Sequence, residues 1–540
     1  MSYTSLKFFI LVAVTALAYF LFPNKKYKWT VLLAASYVFY LFAGYKYIAF
    51  ILFTTVCTYL SGLWLERISA QTKEYIAQNK DSLSREDKKK LKETAKKKKR
   101  GVLALTLTVN FGILAFLKYY NFFSASVNAV LGLFPSGGNL PMLRLILPLG
   151  ISFYTFQSMG YLVDVYRDTV KAERNPFRFA LFVSFFPQIV QGPIGIYSDL
   201  AHQLYEPHSF DFTRMKHAGL LFLWGMFKKL VIADRAIIAI NAVTDNYGAY
   251  NGTTLTFTIL LYSLQLYADF SGGIDISRGV AKLFGIDLME NFRRPYFAKD
   301  ISEYWRRWHI SLGNWFKNYL FYPMAMSKLF NNMSKGIKKS KFGSTKAGAH
   351  VAKVLPTSIA SFFVFFMVGV WHGANWKYLA FGVYNGLIIM LSVLLKPVFE
   401  WTLAKLRIRP ECKPYALFRM VRTFLLVLVG YVFDVAPTFS DAMMTFRRFF
   451  TDQNYTRSHA EISQLGLDIP DYILLLLCTL TILIVSIWQE RHPDTTVSIA
   501  LDKRRYGARF ACFFFLIMSV IIFGIYGSGY NPADFVYMQF

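Results

Sequence analysis

Apolar residues run along this chain in long blocks, separated by short polar or strongly basic stretches. Blocks occupy 8–22, 29–43, 47–65, 102–117, 145–165, 179–194, 220–232 and 255–267, then 355–370, 379–395, 417–433, 472–488 and 510–526. Many approach the ~20 residues a helix needs to cross a bilayer. The pattern predicts an all-α, polytopic integral membrane bundle of roughly ten to twelve membrane segments plus short interfacial helices. The first two blocks are short and read as tilted or re-entrant. The block at 8–22 follows Lys7 and ends in Phe22-Pro23-Asn24-Lys25-Lys26 without a small-x-small cleavage site, so it reads as a retained span rather than a leader. The run at 122–134 reads as an interfacial segment that ends in a turn at Pro135-Ser136-Gly137-Gly138. Pro148, Gly150, Ser152, Thr155 and Gln157 predict a broken or interior-lining backbone, and Pro187 and Pro193 predict a bent one.

Composition agrees with this pattern. The 540 residues are 55% apolar and 18% aromatic, and the mean hydropathy is +0.34. The net charge of +28 is concentrated in loops. Residues 68–100 carry Lys88-Lys89-Lys90 and Lys96-Lys97-Lys98-Lys99-Arg100, and 331–353 carry Lys335, Lys338, Lys339, Lys341, Lys346 and Lys353. The positive-inside rule places both on the cytoplasmic side, as solvated and partly helical loops near anionic headgroups. Beside so many apolar blocks they do not indicate a nucleic-acid partner. No soluble domain fits between the blocks, so residues 1–540 read as one membrane-embedded domain. Cys57, Cys412, Cys478 and Cys512 match no zinc spacing and predict neither a disulfide framework nor a metal site. There is no Gly-x-Ser-x-Gly elbow, P-loop or His-Glu-x-x-His motif.

Candidate chemistry concentrates in 301–386. From Ile301, the residues Tyr304, Trp308, Leu312, Trp315 and Tyr319 recur at helical spacing with Arg306, Arg307 and Lys317 between them. This predicts one amphipathic, cation-rich helix at the cytoplasmic face that carries His309. Further on, Trp371-His372-Gly373-Ala374-Asn375-Trp376 interrupts an apolar run. An ionisable group about one helix length into such a run points to function; the bland reading is a buried structural histidine. Neutral imidazole can take a proton from an attacking hydroxyl. Arg306 and Arg307 suit phosphates, of a donor or of lipid headgroups. Asp269, Ser271 and Asp275 read either as a solvated helix cap or as partners for those arginines. Arg419 and Arg422 read as surface residues opening the 417–433 span.

The stretch Tyr304-Trp305-Arg306-Arg307-Trp308-His309-Ile310-Ser311-Leu312, with Trp371-His372-Gly373-Ala374 beyond it, resembles the membrane-bound O-acyltransferase superfamily, and most closely its bacterial alginate O-acetylation branch. Supporting stretches lie at 147–157, 161–167, 186–194, 269–275, 291–296 and 535–540. The resemblance covers nearly the whole chain. It implies a central tunnel through the bundle, His372 as catalytic histidine and His309 as a second functional one, with Arg306, Arg307, Trp308, Asn375, Asp269 and Ser271 as substrate-binding candidates. Two departures, Asn375 for the usual Ser or Thr and Pro323-Met324-Ala325-Met326 for a Pro-Leu-Gly-Gly stretch, leave alginate itself open as acceptor.

The expected activity is transfer of acetyl groups onto hydroxyls of a cell-surface or exported polysaccharide, at the plasma membrane of a bacterium. Acetyl-CoA or an acyl carrier thioester would be the donor, a substrate rather than a bound cofactor. Expected partners are the lipid bilayer, the polysaccharide or an extracytoplasmic acetyltransferase protein. Rival readings are D-alanyl transfer to teichoic acid, and a transporter with a histidine in its pathway.

Overall fold

A computed structural model describes residues 2–42, 44–134 and 139–526. The turn expected at 135–138 and the terminal 535–540 lie outside the described residues. Among the described residues every regular element is helical, apart from an isolated antiparallel bridge between Phe292 and Trp308. Among the described residues, seven helices are long and apolar enough to cross a membrane: Tyr45–Gln78, Arg85–Leu131, Lys346–His372, Trp376–Leu394, Lys413–Val435, Ile469–Arg491 and Tyr506–Phe523. Leu6–Leu21 is apolar but shorter. The other expected spans form helices that are too short, too polar or interrupted. Lys28–Leu41, for example, has 14 residues, about 21 Å at 1.5 Å per residue.

The chain divides into two compact units, Met1–Phe222 with Ile276–Met289, and Leu223–Asp275 with Glu290–Phe540. In the first, Ile48–Gln78 packs against Arg85–Leu131, and both pack on Ile151–Tyr166. The basic stretch 68–100, expected to be partly helical, is mostly so: it forms the two arms of a hairpin with a short turn between them. Ser84 caps its second arm by accepting from Asp87 N, and Glu86 and Asp87 sit in the first turn where the helix dipole favours them. Lys residues tolerate a helix well once it is started. Lys99 turns inward, donating to Ser69 Oγ at 2.7 Å and pairing with Asp168 at 3.0 Å. The run at 122–134 is no separate interfacial segment, because the same helix continues to Leu131.

Helix Ile151–Tyr166 is almost wholly buried and begins only after Gly150. Gly150 has φ +69°, and a Cβ there would lie 2.3 Å from the Ile189 carbonyl oxygen. Pro176–Ser184 is followed by buried, irregular backbone through Pro193. The bent reading holds here. Gln188 Nε2 donates to Gln157 Oε1 at 2.9 Å and to the Pro193 carbonyl at 2.6 Å, so side-chain amides supply partners that a helix would have given.

In the second unit, Lys346–His372 and Trp376–Leu394 form a tight hairpin. A Cβ on Gly369 would lie 2.4 Å from the Tyr378 carbonyl, and one on Gly382 2.6 Å from that of Phe365. Small residues let two helices approach closely where apolar side chains gain nothing by leaving lipid. His372 thus ends one span and precedes the next; it does not interrupt a single long segment. The second basic stretch is likewise helical in large part, as Lys328–Lys339 and the start of Lys346–His372. The single amphipathic helix expected from Ile301 is two helices, Ile301–Arg307 and Ile310–Phe316, broken at Trp308 and His309.

The clustered lysines give an orientation that can be measured. Single cysteines introduced in 88–98 and in 335–341 should each be shielded from a membrane-impermeant thiol reagent in intact cells and react after permeabilisation. Labelling of either stretch from outside would reverse its assignment.

Candidate active site

The site is built on the break at His309. Trp308 N donates to Tyr304 O at 2.8 Å and closes the first short helix, and Gly313 N donates to His309 O at 3.1 Å as the second begins. Between them His309 adopts φ +45°, a left-handed conformation uncommon for a side chain of this size. The segment 291–293 holds it there. Ile310 N donates to Asn291 O at 3.0 Å, and Arg293 N to Arg307 O at 2.9 Å. The Asn291 side chain accepts from Ser311 N at 2.8 Å and lies 3.3 Å from His309 Nδ1.

The imidazole of His309 is 2% exposed. Phe270 packs against it edge-on at 4.8 Å between ring centroids, and Trp371 lies 5.8 Å away. The Trp371 ring is in turn 5.3 Å from that of His372, which is also buried and packs on Phe381 at 5.3 Å and Tyr378 at 6.1 Å. Gly373 leaves room for Tyr378, since a Cβ there would lie 2.5 Å from its ring. The two histidines, distant in sequence, therefore share one aromatic enclosure. Burial, and after it the charge His372 can carry, holds His309 well below the ordinary imidazole value of 6.5, so it is neutral.

The other candidate residues divide. Trp308 is buried and stacks on Tyr304 at 5.7 Å. Asn375 caps Trp376–Leu394, accepting from Lys377 N. Trp371 is enclosed, whereas Trp376 is 59% exposed. Arg306 is exposed. Arg307 is engaged by Glu303 at 2.7 Å and by both oxygens of Glu490 at 3.0 and 3.1 Å. Burial opposes the Arg307 charge, but Glu490 and Glu303 outweigh it and raise its pKa above the ordinary range. Asp269, Ser271 and Asp275 neither cap a helix end nor meet the arginines. They lie within Gly252–Leu283, where Asp269 pairs with Lys229 at 2.6 Å while Ser271 and Asp275 accept from Lys228 at 2.8 and 2.7 Å. Asp234 also pairs with Lys229, at 2.9 Å, and the two lysines lie on the π-helical turn Phe227–Ala233. The carboxylates answer cations from another stretch, Lys228-Lys229, whose apolar surroundings are the one signal that they turn inward. The role of Asn291, which lies in the supporting stretch 291–296, and Glu490 itself escape a reading of the sequence. Asn291 acts through a β-like contact between irregular segments, and Glu490 is a lone acid at the end of an apolar run.

The arrangement holds a neutral imidazole in a buried aromatic setting, from which it can exchange a proton with a bound group. The profile of the membrane-bound O-acyltransferase family matches residues 171–336, which include His309 but not His372. The probable alginate O-acetylase AlgI of Azotobacter vinelandii is 30% identical over 83% of this chain and 77% of its own length. The peptidoglycan O-acetyltransferase of Helicobacter pylori is 34% identical over 55% of each chain. The teichoic acid D-alanyltransferase of Bacillus subtilis is 28% identical over 55% of this chain and 71% of its own.

The neutral state of His309 has a consequence for stability. Below pH ~6.5 the unfolded chain binds a proton here that the native protein refuses, so this contribution is full above that pH and declines as pH falls. Detergent-solubilised His309→Gln should lose less melting temperature than wild type between about pH 7.5 and about pH 5. Equal losses would show that the buried imidazole carries no such penalty.

Proposed function

Because the chain belongs to the membrane-bound O-acyltransferase family, we propose that its paired histidines move an acyl group, acetyl in the simplest case, from a cytoplasmic thioester to hydroxyls of a cell-surface or exported polysaccharide. The observation that carries this reading is the shared enclosure: His309 and His372 flank Trp371, buried, at the junction of two broken helices and a hairpin turn. The protein is an O-acyltransferase of multi-pass membrane type, and the plasma membrane of a bacterium is the setting its relatives suggest.

In the proposed reaction His372 accepts the proton of the acceptor hydroxyl as its oxygen attacks the thioester carbonyl. The C–O bond forms, the tetrahedral centre collapses, the C–S bond breaks, and the proton passes from the imidazolium to the departing thiolate. His309, oriented by Asn291, lies beside this centre as a neutral hydrogen-bonding group. Trp308 and Trp371 wall it, and Asn375 sets the helix that follows it. Asp269 and Ser271 are buried against lysines and serve the frame rather than the substrate. Arg306 and Arg307 face the donor. If each span crosses once, His372 and Val435 lie toward one face, and Lys346 and Lys413 toward the other, lysine-rich face. A tunnel joining the two would let donor enter from the cytoplasm and acceptor be met at the outer side. The donor, whether coenzyme A ester or carrier-bound, is a substrate, and an extracytoplasmic partner protein would complete transfer to a polymer outside.

A second reading, D-alanyl transfer to teichoic acid, has support in the Bacillus subtilis relative. It uses the same hydroxyl acceptor chemistry and the same base. Family membership removes the transporter reading.

General base catalysis contributes roughly 10²–10⁴-fold. His372→Ala should lose about that factor in acyl transfer by purified protein while expression and membrane insertion persist. His372→Gln should do no better, since an amide keeps the polarity but cannot accept the proton. Wild-type turnover in either variant would show that His372 is not the base.

A further inference from the structure

Arg307, just before the His309 break, and Arg294 are already occupied by carboxylates. Glu490 receives Arg307 through both of its oxygens at 3.0 and 3.1 Å, and Arg294 Nε at 2.5 Å. The acid that does this is poorly placed for its own helix. It lies in the last turn of Ile469–Arg491, where the helix dipole disfavours an anion. Arg294 is poorly placed as well, with φ +49°, a backbone conformation that costs energy in a residue with a side chain. Two local penalties are thus accepted to bring one carboxylate onto a planar guanidinium fork. That fork fits carboxylate and phosphate equally well. The pair is not sealed: the Glu490 side chain is 33% exposed, against 18% for Arg307 and 19% for Arg294. Glu303 stays on Arg307 at 2.7 Å through the adjacent turn of Ile301–Arg307, so the fork stays positioned when Glu490 leaves.

The backbone links this cluster to the imidazole. Arg293 and Arg307 are joined at one end of the short ladder, Asn291 and Ile310 at the other, with His309 between Arg307 and Ile310. An anion exchanged at Arg307 is therefore held two residues from His309, the imidazole beside the proposed reaction centre.

We propose that Arg294 and Arg307 form a site for a phosphate ester and that Glu490 is its internal competitor, released toward water when the phosphate docks. This rests on the reading that a phosphate-bearing donor reaches the site from the arginine side. The same phosphate chemistry is offered by a pantetheine-type donor and by an anionic lipid headgroup, and the test separates them.

Coenzyme A is titrated by calorimetry into protein in uncharged detergent. Glu490→Gln, which keeps the shape and removes the competing charge, should bind about tenfold tighter than wild type, with the gain shrinking as salt is raised. Equal or weaker binding overturns the proposal. Should the variant fail to fold, wild-type protein answers the same question. Saturating coenzyme A should increase backbone hydrogen exchange in residues 486–492, as the last helical turn loses its anchor, and unchanged or reduced exchange overturns the proposal. Arg306→Ala with Arg307→Ala tests the underlying reading separately. If that double variant binds coenzyme A as wild type does, no donor phosphate meets these arginines, whatever Glu490 does. Nanodiscs of phosphatidylglycerol and of phosphatidylcholine form the other arm. If only phosphatidylglycerol loosens 486–492, the phosphate is that of a lipid.

Discussion

A helix broken inside an apolar bundle leaves backbone donors and acceptors that water cannot reach, and the structure around His309 is arranged to answer that one constraint. The first four N–H groups and last four C=O groups of any helix lack partners within it, and each one buried without a partner costs ~1–3 kcal/mol. Two seven-residue helices meeting end to end multiply such ends. Asn291 meets part of the demand with its carbonyl to Ile310 N and its side-chain oxygen to Ser311 N. In return the chain gains something a continuous helix could not provide. The left-handed residue turns its imidazole out of the helical register and into the aromatic enclosure made by Phe270 and Trp371.

The same constraint explains what the sequence shows and what it conceals. The long spans are legible because lipid demands runs of apolar residues, as in Ile469–Arg491 and Tyr506–Phe523. His309 and His372 stand out because ionisable groups are rare in such surroundings. The break between Arg307 and Ile310 is not legible, because Tyr304, Trp308, Leu312 and Trp315 keep helical spacing across it. Their periodicity records which residues are buried, not whether the backbone is continuous. Asp269 is legible as an acid that is either solvated or turned inward, but its partner is not. Lys229, which meets it, and Lys228, which meets Ser271 and Asp275, stand consecutively on a π-helical turn, and no α-helical spacing places two adjacent residues toward one neighbour. The basic hairpin is legible in part: its charges mark solvent, and solvent is compatible with helix.

Burial of charge follows a consistent rule in the second unit. Lys228, Lys229 and Lys377, which lie deep, each take a partner from a distant stretch of chain. Lys229 has Asp234 from its own helical run and Asp269 from Gly252–Leu283. Lys377 has the carbonyls of Asp434 and Ala436 at 2.9 and 2.7 Å, where the end of a helix presents unpaired acceptors and a favourable dipole. Removing one partner from such a group leaves an uncompensated charge and costs ~3–5 kcal/mol. These pairs therefore contribute less to net stability than to fixing which segments meet.

Helix Lys413–Val435 shows how that fixing reaches the active centre. Near its start Arg419 pairs with Asp300 at 3.3 Å and Arg422 donates to the Lys299 carbonyl at 3.1 Å, just before Ile301–Arg307 begins. Three turns further on, Tyr431 shares a 2.7 Å hydrogen bond with Tyr304 of that short helix. At its end the carbonyls of Asp434 and Ala436 take Lys377, five residues beyond His372, and the Asp434 carboxylate accepts from Tyr262. From Arg419 to Asp434 the rise is about 22 Å at 1.5 Å per residue. One rigid element thus touches the segment that ends in His309 and, at its far end, the hairpin that carries His372. Neither histidine is fixed by its own helix alone, since one sits on a break and the other at a helix end. Their separation is set instead by a third helix that bears neither of them, and by an ordering of contacts along it that no short motif contains.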